Sequence, residues 1–179
     1  GLWSLFLEIS FGPLFICGNY GLYQFIKLNG HSFFSQLGML FTALAGLAVT
    51  MMLNVQKSVF TIGMDMKQTD DPLIQEMIRR SFKSGNLTQL GMDFSWDVFV
   101  SLGISFFALA IIKQTYFPKW LALPGLIIGF GGLFLNMFTF PIPPADEQLI
   151  DPGPFFFFFY GATLIIMLDA VFIKKSLTP

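Results

Sequence analysis

The sequence predicts an all-α integral membrane bundle, and three observations predict it. Only 12% of the 179 residues are charged, against roughly 25% in a soluble globular domain. The charges gather between long apolar runs, the arrangement of membrane spans rather than of a greasy soluble core. Five of those runs, 2–26, 33–53, 96–112, 120–140 and 155–173, approach the about 20 mostly apolar residues that a helix needs to cross a bilayer. The whole chain, 1–179, reads as a single transmembrane domain.

The first span is the least apolar, since it carries Glu8, Pro13 and Asn19. It has no basic n-region and no small-residue cleavage motif, so it does not read as a signal peptide. The chain opens at Gly1 without an initiator methionine, and a helix upstream of it is expected. In the second span Gly38, Thr42, Gly46, Thr50 and Asn54 recur every four residues. That spacing keeps small side chains near one helix face, where close backbone approach gains contact that lipid cannot replace. The third span is short unless Leu90–Ser95 extends it. Its stripe, Gln89, Asp93, Asp97, Ser101 and Ser105, is polar. The fourth has Pro124 near its start, then Gly125, Gly129, Gly132 and Asn136, another helix-packing face. The fifth opens on five phenylalanines, Phe155–Phe159, followed by Tyr160, and reads as lipid-facing. Asp169, shortly before Lys174 and Lys175, suits a snorkelling ion pair. Trp3, Trp96, Trp120 and Tyr160 fall mostly near span ends, as interfacial anchors do.

The connections differ in character. Residues 27–32 form a tight polar turn that holds His31; 113–119 is short and basic; 141–154 is proline-rich and acidic, with no Lys or Arg. The segment 56–89 reads as a long outer loop with one amphipathic helix, 71–85. There Asp71 suits the N-cap, Pro72 the first helical position, and Gly85 the stop. Such a helix between two spans is expected to lie at the interface over the bundle. Basic residues in short loops face the cytoplasm. Lys27, Lys113, Lys119, Lys174 and Lys175 then lie inside with the C-terminus, opposite the loop that lacks any.

Composition prunes function. A net charge of −1 gives no electrostatic case for nucleic acid. One cysteine, Cys17, and one histidine, His31, exclude an intrachain disulfide, a bis-histidine haem and a His-rich metal site within this chain. No phosphate-binding glycine loop or Cys-x-x-Cys occurs, so no cofactor, metal or catalytic residue is assigned and enzymatic chemistry is not expected. What stands out is depth. In the predicted topology Glu8, Asn54, Asp93, Asp97 and Asn136 come from four spans to a similar outer level. Polar groups inside a membrane usually face the bundle or a water-filled cavity. The expectation is an outward-opening pocket for an ion, small ligand or lipid, with Arg79 and Arg80 on the amphipathic helix as its lid. The competing expectations are carboxylates that pair with Arg79, Arg80 or Lys83, and an accessory subunit of a larger membrane complex whose stripes meet partner subunits. The bilayer is the one partner expected in either case.

The stretch Tyr116-Phe-Pro-Lys-Trp-Leu-Ala-Leu-Pro-Gly-Leu-Ile-Ile-Gly129 resembles a hairpin of uncharacterised bacterial multi-pass membrane proteins, in which a Phe-Pro-Arg/Lys-Trp-Leu turn leads into a Gly-rich span. The resemblance covers about the last two-thirds of the chain. It implies a bacterial inner-membrane protein of six or more spans and brings no activity with it.

Overall fold

The computed structural model describes residues 2–28, 30, 32–139 and 152–173. His31, the acidic residues Asp146, Glu147 and Asp151, Lys174 and Lys175 lie outside the described residues, as does the side chain of Trp3. The described chain folds into α1 (Leu2–Lys27), α2 (Phe33–Asp65), α3 (Pro72–Ile111), α4 (Ala122–Thr139) and α5 (Gly153–Leu168). Short 3-10 turns follow α2 and precede α4, and Asp169–Ile173 continues α5 as a π-type turn.

Four of these helices, α2 to α5, are long and apolar enough to cross a membrane. Among the described residues the expected count of five is therefore not met, α1 being the helix outside the four. Its 26 residues reach about 39 Å at 1.5 Å each, with Glu8, Pro13 and Asn19 along its length.

The second correction concerns the segment read as a loop. α2 does not stop near Leu53 but continues to Asp65, and α3 runs unbroken for 40 residues from Pro72 to Ile111. The amphipathic helix 71–85 and the span 96–112 are therefore one helix. Its start follows the sequence: Asp71 Oδ1 accepts from the backbone N–H of Leu73 (2.9 Å) and Ile74 (3.4 Å), with Pro72 in the first turn. Its stop does not. A C′ glycine ends a helix by adopting positive φ, and among the described residues only Gly30 does so. Gly85 stays helical and lets α2 come close, since an added Cβ would lie 2.9 Å from Val59 Cγ2. One turn on, the Phe82 ring lies over Gly63. At 1.5 Å per residue α2 and α3 are roughly 50 and 60 Å long, whereas the 18 residues of α4 reach about 27 Å. The α2–α3 hairpin therefore extends well beyond its neighbour.

α2 and α3 pack along their length and form the spine; α1 lies on α2, α4 on α3, and α5 touches α1, α3 and α4. The core runs along the half of the spine that the other helices cover, with Ile26, Val100, Ile104, Phe107, Ile111, Leu121 and Phe159 all essentially inaccessible. The glycine faces serve as contacts. Gly38 abuts the Phe107 ring, Gly46 meets Ile16 and the Gly12 carbonyl, and Gly125 meets Ala108 and Phe159. Gly129 and Gly132 press on Ser101 and Ser105. Pro124 sits in the first turn of α4, where no intrahelical bond to its nitrogen is needed, so it starts the helix rather than kinking it. The phenylalanine run divides: Phe156 and Phe159 turn inward, while Phe157 and Phe158 face out.

Candidate functional site

The site begins where α1 and α2 touch most closely. Gly12 leaves no room for a side chain against the Gly46 carbonyl and Thr50, so the two backbones come together there. Thr50 turns its hydroxyl back to donate to the Gly46 carbonyl at 2.7 Å. One turn beyond, the helices leave a shallow cleft of about 70 Å³ lined by Glu8, Ile9, Thr50, Leu53, Asn54 and Lys57. Lys57 Nζ donates to Glu8 Oε2 at 2.7 Å across it. The side chains stay 53% and 37% exposed. A pair so accessible contributes only about 0–1 kcal/mol, so it opens at little cost.

Two of the five residues expected to share a pocket, Glu8 and Asn54, meet in this cleft. Asp93, Asp97 and Asn136 do not line it; they lie along α3 and α4. Ser101 and Ser105 are buried against Gly129 and Gly132 of α4. Asp97 is one turn above Ser101, and Asn136 one turn beyond Gly132, so both continue the α3–α4 seam. Asn136 donates from Nδ2 to the Gly132 carbonyl at 2.9 Å. Asp93 lies a further turn up and, like Asp97, is half-buried. The heights of the two groups do correspond. Phe11 and Phe15 of α1 both pack on Trp96 of α3 (centroids 5.9 and 4.9 Å), so Glu8 and Asp93 each sit about one turn above that contact.

The lid is a correction. Arg79 lies fourteen positions before Asp93 on one unbroken helix, about 21 Å at 1.5 Å per residue. Arg79 and Arg80 instead donate to Glu76, at 2.7 and 2.9 Å. Neither covers the cleft, and neither is placed to pair with Asp93 or Asp97. The Arg79 and Arg80 hydrogen bonds hold the Glu76 carboxyl down at about 2.

Sequence reasoning missed Lys57, which it counted as a loop charge. The signal was there: Lys57 lies three residues after Asn54 and seven after Thr50, on the same face, once α2 is allowed to continue. It also missed a polar contact in the interior. Asn19 is buried and donates to the Phe15 carbonyl, and its amide meets the Tyr160 hydroxyl. Yet Asn19 Oδ1 and Tyr160 OH both lack a partner in hydrogen-bond geometry. Tyr160 is half-buried, with its hydroxyl inside and its ring edge-on to Phe15 at 5.4 Å, so it points into the bundle rather than to the interface. Among the described residues no three His, Cys, Asp or Glu side chains gather as a metal site would need. No family model matches the chain, and neither a curated protein nor a solved structure gives a significant match to it.

Proposed function

We propose that α2–α5 cross a bilayer, that α1 runs antiparallel to α2 through the same depth, and that the Glu8–Lys57 cleft binds a small charged amphiphile, as the recognition element of a sensor or permease-like protein. The observation that carries this reading is the cleft itself, a carboxylate and an ammonium from two helices held over a small opening. Its level supports it. Twenty residues of helix from Phe33 traverse about 30 Å of hydrocarbon, which brings Asn54 and Lys57 to the far boundary. With the C-terminus cytoplasmic, as the lysines near the opposite end favour, the cleft faces outward from a bacterial inner membrane.

The test is thermal unfolding of the purified protein in detergent against a panel of ions, lipids and small amphiphiles. Lys57→Gln and Asp97→Asn are run alongside. A ligand that binds only the folded state adds about 2.7 kcal/mol at one hundred times its dissociation constant. A shift present in wild type and Asp97→Asn, and lost in Lys57→Gln, is expected. A panel that shifts nothing, or shifts Lys57→Gln equally, removes the cleft as a binding site.

One observation favours a second reading, an accessory subunit of a larger membrane complex. Along the hairpin Phe60, Leu73 and Met77 are more than 60% exposed, apolar side chains that a partner subunit would cover. An inert ligand panel together with a stoichiometric partner on gentle purification would replace the first reading with this one.

A further inference from the structure

We propose that the occupant of the Glu8–Lys57 cleft is the headgroup of a zwitterionic phospholipid with a primary ammonium, phosphoethanolamine. The proposal rests on the cleft being a binding site and names what it binds.

Size argues first. Sites that enclose a small molecule run to about 300–1,000 Å³, far above the 70 Å³ here. A ligand of this cleft enters only in part and leaves the rest of itself elsewhere. A membrane lipid does that by construction, with its headgroup seated and its chains in the bilayer. Ile9 and Leu53, the two apolar lining residues, flank the route the chains would take, and Ile9 is itself 56% exposed.

Charge argues second. The cleft presents both signs at one point. A simple anion would meet Lys57 but be set against Glu8, and a simple cation the reverse; like charges brought together at a site oppose binding. A zwitterion inserted between them exchanges one exposed ion pair for two charge-assisted contacts, phosphate on the Lys57 ammonium and ligand ammonium on the Glu8 carboxylate. The Lys57–Glu8 pair itself contributes little, and the two new contacts favour the exchange.

The identity of the cation argues third. A quaternary ammonium has no N–H to donate and is recognised by aromatic faces. Among the described residues no aromatic side chain lines the cleft. A primary ammonium has three donors, and the cleft offers carboxylate oxygens on Glu8 and an amide oxygen on Asn54 to receive them.

The experiment titrates the detergent-solubilised full chain with phosphatidylethanolamine, phosphatidylcholine and phosphatidylglycerol of identical acyl chains, and separately with free phosphoethanolamine. Thermal unfolding and lipid retention in native mass spectrometry are read. Phosphatidylethanolamine should bind best, and Glu8→Gln or Lys57→Gln should weaken it about tenfold or more, the loss expected for one hydrogen bond to a charged group. The doubly exchanged Glu8→Lys, Lys57→Glu protein should recover binding, since a zwitterion can reverse; this separates recognition from misfolding of the single variants. Equal binding of phosphatidylcholine, preference for phosphatidylglycerol, or equal binding of free phosphoethanolamine overturns the proposal. A different panel compound that binds in a Lys57-dependent way overturns it while leaving the cleft a binding site. No Lys57-dependent ligand of any kind removes both.

Discussion

Gly129 and Gly131 are two residues apart on α4, and alanine should act on them in opposite directions. At Gly131 an added Cβ meets nothing within 4 Å. Replacing glycine by alanine in a helix there should gain about 0.8–1 kcal/mol of helix propensity. At Gly129 the same methyl would lie 2.7 Å from the Ser101 carbonyl oxygen and 2.9 Å from the Ser105 nitrogen. Both are backbone atoms of α3, so no rotamer change relieves them. To restore even a 3.4 Å contact, α4 must retreat from α3 by about 0.7 Å, and a gap of that size forfeits a quarter to a half of each dispersion contact it opens. Overpacking of this kind costs about 1–3 kcal/mol, enough to outweigh the propensity gain. Gly129→Ala should therefore be destabilised by up to about 2 kcal/mol and Gly131→Ala stabilised by under about 1 kcal/mol. The measurement is equilibrium unfolding in mixed micelles at matched detergent composition. If Gly129→Ala is as stable as wild type, the α3–α4 seam is not packed through these glycines. If Gly131→Ala is the weaker variant, α4 is turned the other way.

Two further outcomes follow from single contacts. Tyr160→Phe removes a buried hydroxyl without a partner; an unsatisfied group of that kind costs about 1–3 kcal/mol, so the variant should unfold no earlier than wild type and by preference later. A clear loss of stability in the same unfolding assay would mean that the hydroxyl bonds to Asn19. Glu76 should titrate near 2 rather than at its ordinary 4.5, because Arg79 and Arg80 donate to it. The depressed value means that its contribution to the hairpin is present above the ordinary value and fades only as pH falls toward 2. Carboxyl-carbon NMR of the protein in micelles reads this directly. A midpoint near 4.5, unmoved by Arg79→Ala, would show that the guanidiniums do not hold it.

The intramembrane half of the fold was legible because its signals have one physical meaning. Small residues every four positions on α2, and glycines three or four apart on α4, lower the cost of backbone approach, and those helices do approach there. Asp71 and Pro72 could only begin a helix. Gly85 is where legibility failed, because a glycine after an amphipathic run has two meanings. It ends a helix when its backbone turns to positive φ, and it admits a neighbour when it does not. Only the register of Val59 against it decides, and that is a tertiary fact. Charge misled similarly. Residues 56–65 looked like loop because Gln56, Lys57 and Asp65 interrupt the apolar run. Val59 and Gly63 nonetheless keep one face of that stretch against α3, and helix pairing needs only one face.

One face of α2 links the packing to the proposed site. Thr42 lies under Gly103 of α3, Gly46 and Thr50 meet Gly12 of α1, and Asn54 and Lys57 line the cleft. The drift of a four-residue repeat around a 3.6-residue helix carries this stripe from one neighbour to the next. Small residues must end where the helices are to separate, and polar residues can begin there because water or headgroups can reach them. A cleft at the upper end of a glycine contact is thus a consequence of the stripe running out. The same logic explains why Asp93, Asp97 and Asn136 occupy a different seam at a similar level: each inter-helix contact becomes polar as it nears the boundary. Similar depth gathered these residues in the sequence reading, but depth fixes only one coordinate. The azimuth, set by which helix each stripe faces, divides them between the α1–α2 cleft and the α3–α4 seam.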